Sequence, residues 1–437
     1  MIKRLKVKGY KSLKDVEVRF EPLNIIFGPN AAGKSNFLDA LQLLSRMATS
    51  RTLKDAFEPP YRGKPLESFS FEEDGIKGLL GHDTLSFIME ADVEISETVA
   101  AAVSRQIREM RKGKASDTST SLKQDKQSFV REKNLRYRIQ IEIMPRSGML
   151  RVADEYLAAL TADGAISRKR APFLEKIKNR LHLRMEGQAH PTYYDLYLDH
   201  SVLSMPLYPP HYPHVIAIRQ ELASWFFFYF EPRERMRAPS AVKEVRHIGL
   251  MGEDLASFLN TLRAFDEPQF KAVEKALHMI IPNINGIDVS VNDLGEVELK
   301  LLEGKTPIPS RVLSEGTLRI LGLLALGGAK EPPALIGFEE PENGIHPRRI
   351  RMVADLLKNR VATGETQLIV TTHSPILPDM LSNEDLFICR KEKGQTVIQA
   401  FKSLELWRER AIRDALDAEE YVEPSVSERI MRGDFDA

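Results

Sequence analysis

Cysteine occurs once, at Cys389, in 437 residues. A lone cysteine excludes an intramolecular disulfide framework and a cysteine-built zinc site, and it fits a reducing cytoplasm. Net charge is missing as well: 62 Lys plus Arg balance 62 Asp plus Glu. That excludes a protein coating nucleic acid by bulk charge, though not one with a local basic patch. Long apolar runs are also missing. Stretches such as 225–230 and 320–328 fall far short of the roughly 20 apolar residues that span a bilayer. The opening residues, MIKRLKVKGYKSLKDVEV, lack the apolar core of a secretion signal. What remains is an ordinary globular mix, 43% hydrophobic and 28% charged. It suits a sizeable core and, at roughly 150 residues per domain, two or three domains or one large domain with insertions. These features predict a cytoplasmic protein without a membrane segment.

Alternation of Leu5 and Val7 with lysines, and of Val16, Val18 and Phe20 with charges, predicts two half-buried strands. The short apolar run 23–27 predicts a buried strand, 28–33 a glycine-bearing loop, and 34–47 a helix. Residues 105–138 hold eleven Lys or Arg against four Asp or Glu. Their centre has no apolar periodicity and reads either as a solvated insertion or as a basic arm for nucleic acid or an acidic partner. Residues 135–144 alternate like a strand, whereas the basic stretch 168–184 is spaced like a solvated helix face. A Pro-rich loop is expected over 205–214, with a buried aromatic strand over 225–230. Two helices follow, carrying Leu255, Phe258, Leu259 and Leu262, then Phe270, Val273, Leu277 and Ile281. Strands at 286–291 and 296–302 come next. The last 120 or so residues alternate: helix after Gly316, strand 334–338, helix 347–360, strand 367–371. Such alternation predicts an α/β core with parallel strands. The acidic tail from Asp417 is expected to be exposed.

Residues 28–35, GPNAAGKS, match G-x-x-x-x-G-K-[ST] between a strand and a helix. Backbone N–H groups of such a loop turn inward around phosphate oxygens, and the helix start adds partial positive charge. Lys34 is expected to reach the β and γ phosphates of a nucleotide, and the Ser35 hydroxyl to ligate Mg²⁺. The strand ALIGF ends in Glu339 and Glu340. Beside a phosphate loop, Glu339 suits the Mg²⁺ side and Glu340 the general base for attacking water. Ser314-Glu315-Gly316 stands at a predicted helix start, where a hydroxyl and free N–H groups bind anions or cap the helix. His373 ends another short strand, placed to touch a γ-phosphate and its water. His211 and His214 are spaced H-x-x-H without converging ligands, which gives zinc little support.

In order and context, GYKSLKDVEV, GPNAAGKSNFLDA, LSEGTLRIL, FEEPENGIHP and TTHSP resemble ABC-type ATPase heads of the RecF, SMC and overcoming-lysogenisation-defect (OLD) kind. More narrowly, YFEPRERMR with GEDLASFLNTL is similar to the stand-alone bacterial AAA-type ATPases. The resemblance implies an α/β P-loop NTPase of ABC-head type: a mixed sheet with flanking helices plus α-rich or mixed insertions. The head would occupy 1–100 and 246–405, insertions 101–245, and a C-terminal helix and acidic tail 406–437. It implies that Gly28, Asn30, Gly33, Lys34, Ser35 and Asn36 bind ATP, that Glu339 takes the acid position usually held by Asp, and that Glu340 is catalytic. Ser314 and Gly316 would match the signature motif, residues 343–346 the loop across a dimer interface, and His373 the switch histidine. Lys11 stands where many relatives place an arginine. Glu315 departs from the usual signature glycine, and Gln140 is only a weak match to the Q-loop glutamine.

In such heads the signature of one copy closes on the phosphates bound by another. The expectation is therefore a homodimer, or a higher oligomer built through the nucleotide sites, sandwiching two ATP molecules. Its setting would be DNA maintenance or anti-phage defence, with nucleic acid or a separate nuclease or effector as partner. The alternatives are an ATP-dependent sensor or scaffold acting on an effector without DNA contact, and a transporter's nucleotide-binding subunit. Only 64 residues follow His373, too few for a fused Toprim nuclease, so any nuclease is expected on another chain.

Overall fold

The computed structural model describes residues 1–71, 73–112, 128–188, 190–327, 332–403 and 424–435. The chain divides into two compact units. One comprises Met1–Phe20, Ser35–Trp225 and Lys391–Ile398; the other comprises Glu21–Lys34, Phe226–Arg390 and Gln399–Ala437.

The first unit is built on an eight-stranded antiparallel sheet. Its order is Leu13–Arg19, Ile2–Tyr10, Leu85–Glu94, Asn134–Met144, Met149–Ala159, Leu174–Ile177, Arg180–Leu183 and Thr192–Asp195. Asn134–Met144 buries every second residue, the period expected of a strand with one covered face. Gln140 lies mid-strand, opposite Ile88 and Asp154. The basic stretch 168–184 is not a helix. Leu174–Ile177 pairs with Arg180–Leu183 in a hairpin, and Lys178, at φ 54°, opens the two-residue turn. A tight turn that reverses a strand overrides the weak helical spacing. The Pro-rich loop ends at Tyr212, because Pro213 starts the helix Pro213–Ala223, where its fixed φ and missing N–H cost nothing. His214, fully buried on that helix, accepts at Nε2 from the N–H groups of Arg131 and Glu132. Its Nδ1 lies 2.7 Å from Glu186. This is a satisfied core histidine, with no metal role to fill.

The second unit carries the parallel strands. Trp225–Phe228, Leu335–Glu339, Gln367–Thr372, Leu23–Phe27 and Leu386–Glu392 are consecutive neighbours, and the last four run parallel to one another. Leu23–Phe27 is buried along its whole length, which is why it reads as an apolar run, broken by Asn24, rather than an alternation. Helices Leu255–Phe265, Glu267–Ile280, Glu315–Leu326 and Pro347–Ala362 contribute Leu259, Leu277, Leu321 and Val353 to one apolar core with Ile25, Phe338 and Val370. A smaller antiparallel sheet places Glu296–Glu303 between Ser240–Ala241 and Ile284–Val291.

The tail differs from its expected exposure. Residues 404–423, which hold most of the expected C-terminal helix, and 436–437 lie outside the described residues. Within 424–435, a capping box at Ser425 starts the helix Val426–Met431. Phe435 packs its ring 5.5 Å from Phe27, and Arg429 stacks over Phe401 and Phe435. An aromatic anchor and a stacked guanidinium outweigh the acidic composition around them.

Candidate functional site

Parallel strands end on the same side, and in open α/β sheets ligands bind in the crevice beyond those carboxyl ends. Here the ends deliver the three motifs picked out by spacing. Phe27 runs into the 28–33 loop, Glu339 closes the strand Leu335–Glu339, and Thr372 precedes His373.

Gly28 is compelled by its neighbour. A Cβ there would lie 1.9 Å from the Cys389 carbonyl oxygen. Gly33 sits at φ 110°, a conformation open to glycine. Lys34, 7% exposed, begins the helix Lys34–Thr49 and donates from Nζ to the carbonyls of Gly28 (2.7 Å) and Pro29 (2.9 Å). Burial lowers its pKa, against the opposing fields of Cys389, Glu340, Glu339 and Glu342. Burial also pushes the Cys389 thiol up to about 12, which makes it an inert neighbour. Asn30 is exposed at the loop's tip.

Glu340 takes φ 51°, an uncommon conformation for a residue with a side chain, while its N–H donates to the Thr371 carbonyl at 2.9 Å. His373 Nδ1 lies 2.7 Å from Glu340 Oε1. A carboxylate only accepts, so Nδ1 is the donor. The pair can orient and deprotonate a water molecule.

Ser314 caps the helix Glu315–Leu326, its Oγ accepting from Thr317 N–H at 3.1 Å. Gly316 is constrained too: a Cβ would meet the Gly344 carbonyl oxygen at 2.5 Å. The signature segment thus packs directly on the 343–346 loop. That loop is set by Asn343 N–H on the Glu340 carbonyl and Ile345 N–H on the Glu342 carbonyl. His346 then caps Pro347–Ala362.

Ser35 and Asn36 follow Lys34 on the same helix but are counted with the first unit. There Asn36 Nδ2 donates to Ser12 Oγ. Lys11 Nζ pairs with Asp39 (2.7 Å), which also holds Arg62. Asp39 is thus already shared by two cations.

Two groups escaped the sequence reading. Glu342, 5% exposed, accepts from Thr372 Oγ1 and has no partner at Oε2 among the described residues. Burial raises its pKa, partly offset by the Thr372 hydrogen bond. Arg319, on the signature helix, has an unpartnered Nε among the described residues. Burial lowers its pKa against the fields of Glu315, Glu340 and Glu342. The only sequence signal for Glu342 was its place two residues after Glu340.

No group of three or more His, Cys, Asp or Glu able to hold a metal occurs among the described residues. Mg²⁺ in phosphate-transfer sites needs only one or two protein oxygens, the rest coming from phosphates and water. A hydroxyl and one carboxylate therefore suit it.

Comparison with known proteins places these motifs in context. Residues 202–379 match a family model described as "AAA domain, putative AbiEii toxin, Type IV TA system". Residues 1–145 match an AAA ATPase domain model. An OLD nuclease from Thermus scotoductus is 24% identical over 92% of this chain, which spans 64% of that protein's length. An ATP/GTP phosphatase from Helicobacter pylori is 23% identical over 91% of this chain and 94% of its own. The DNA replication and repair protein RecF of Streptococcus agalactiae is 42% identical over 55 residues, 12% of this chain and 15% of its own.

Proposed function

Because this chain carries an ATPase head of the ABC type, of the class that includes RecF, SMC and OLD proteins, we propose that two copies close on ATP and hydrolyse it. In this reading the closure is coupled to a nucleic acid or to a partner protein such as a separate nuclease. The observation that carries the reading is the Glu340–His373 pair at the same strand ends as the Lys34 loop, with a glycine-tight signature segment against the 343–346 loop.

Gly28, Asn30 and Gly33 cradle the phosphates with backbone N–H groups, and Lys34 exchanges its two carbonyl contacts for phosphate oxygens. Ser35 and Glu339 would hold Mg²⁺, which supplies charge neutralisation on the β and γ phosphates. Glu340 takes a proton from water as the water oxygen bonds to the γ-phosphorus and the bond to the β-phosphate bridge breaks. His373, aligned by Glu340, acts as the imidazolium, whose Nε2–H donates to the γ-phosphate. Ser314 and Gly316 of the second copy bind the same γ-phosphate. ATP therefore holds the pair together, and loss of that phosphate releases it.

A basic face supports the nucleic-acid side of the reading. Helix Glu97–Lys112 buries Val99, Val103 and Ile107 and leaves Arg105 and Arg111 exposed. Residues 113–127, the rest of the basic stretch's centre, lie outside the described residues. Anti-phage defence is the setting we favour, on the family description that names a toxin system.

The test uses Glu340→Gln. Loss of the base should lower kcat about 10²- to 10⁴-fold and leave an ATP-dependent dimer that light scattering detects. Salt-dependent DNA retention, lost on neutralising Arg105, Arg108, Arg111 and Lys112, tests the partner. A monomer that turns over fully with Ser314→Ala would end the account.

A further inference from the structure

Closure on ATP leaves Glu315 unexplained. It lies between Ser314 and Gly316, where an incoming γ-phosphate would meet its negative charge. Arg233 answers that charge: its Nε donates to Glu315 Oε1 at 2.8 Å. The two side chains are 78% and 39% exposed, and such surface pairs are weakly held and readily exchanged. The loop beneath is firmly held. The Glu231 carboxylate accepts from the backbone N–H groups of Arg233, Glu234 and Arg235. The Arg237 guanidinium donates to the carbonyls of Arg311 (3.0 Å) and Leu313 (2.7 Å), immediately before Ser314. The Arg233 backbone is therefore tied to the signature segment, while its guanidinium pairs with the surface carboxylate of Glu315.

We propose that Arg233 is a catalytic residue delivered in trans, which on closure exchanges the Glu315 carboxylate for the γ-phosphate of the ATP bound to the other copy. The proposal rests on the dimer reading above. A guanidinium fork matches a phosphate better than a single carboxylate oxygen, and it takes up the charge spread over the transferred phosphoryl group. Glu315 holds the arginine in reserve until phosphate arrives, which gives the departure from glycine a purpose. The pair also holds Glu315 ionised, the Arg233 hydrogen bond lowering its pKa.

The experiment mixes two variants and measures phosphate release. R233A alone should lose about 10³-fold in kcat, and E340Q alone is inactive. In a mixed dimer, one pocket combines Glu340 of the R233A chain with Arg233 of the E340Q chain. Equal mixing should restore about a quarter of the parent rate, since half the dimers are mixed and each has one complete pocket. Recovery on mixing upholds the proposal. Parental turnover by R233A, or no recovery, overturns it. Light scattering of E340Q with ATP separates the two layers. Failure to dimerise there defeats the underlying reading together with this one, whereas a dimer without recovery defeats Arg233 alone. R233Q, which keeps a polar side chain, replaces R233A should the latter melt below the parent.

Discussion

Replacing Gly28 with alanine places a methyl group against a backbone that cannot step aside. The added Cβ would lie 1.9 Å from the Cys389 carbonyl oxygen, 1.1 Å inside the 3.0 Å that real Cβ atoms respect. Cys389 belongs to the strand Leu386–Glu392, whose neighbour Ile388 is in register with Phe27. Moving that carbonyl means breaking the ladder beside the phosphate loop. Overpacking of this kind costs about 1–3 kcal/mol, and alanine held at φ 151° adds about 1 kcal/mol of backbone strain. The total is about 2–4 kcal/mol. If the loop takes the strain by leaving its phosphate geometry, nucleotide affinity falls about 30- to 1000-fold. The assay is titration with a fluorescent ATP analogue, alongside a melting curve that shows whether the strain falls on the fold instead. Cys389→Ala is the control. The clash is with a backbone oxygen, so shortening the thiol side chain should rescue nothing. Parental affinity and melting temperature in Gly28→Ala would refute the reasoning, and rescue by Cys389→Ala would misplace the clash.

Three further outcomes are expected. Glu342 has a folded pKa raised by burial above its ordinary 4.5, so the folded state binds the proton more tightly than the unfolded chain. Its stability contribution is present below 4.5 and is lost as pH rises through the raised folded value. Glu342→Gln should therefore raise the melting temperature at neutral pH, with the gain fading as pH falls through the raised folded value and gone below 4.5; a gain unchanged across that range would contradict the assignment. Arg237→Ala removes two charged hydrogen bonds to the 311–313 carbonyls and should cost about 2 kcal/mol in urea unfolding. A loss under about 0.5 kcal/mol would mean that the segment is held by other contacts. Neutralising Arg105, Arg108 and Arg111 should flatten the plot of log affinity for DNA against log salt by roughly 2 to 3 units of slope, and an unchanged slope would assign DNA contact elsewhere.

The parallel core was legible because burial on both faces leaves mostly apolar runs, broken in 23–27 by Asn24. Residues 23–27 and 335–338 could hardly be anything but central strands. The strand, loop and helix around Lys34 were legible because Gly28, Gly33 and Lys34 stand at a fixed spacing after an apolar run. The hairpin at 174–183 was not. Its strands are four residues each, too short to establish a period, and Lys178 is not a turn residue by composition. Glu342 escaped for a different reason. Its partner Thr372 is 30 residues away, and only pairing between the strands that precede them brings them together. The buried Arg429 and Phe435 escaped because local acidity says nothing about an aromatic waiting at Phe27.

The nucleotide crevice is assembled in strand order rather than chain order. Its central strand, Leu23–Phe27, precedes the strands that supply Glu340 and His373 by more than 300 residues. A nascent chain halted before residue 367 owns a lysine loop with no histidine and an unfinished sheet. The strand ends that carry Lys34, Glu340 and His373 are therefore complete only once the strand Gln367–Thr372 has been made and has paired.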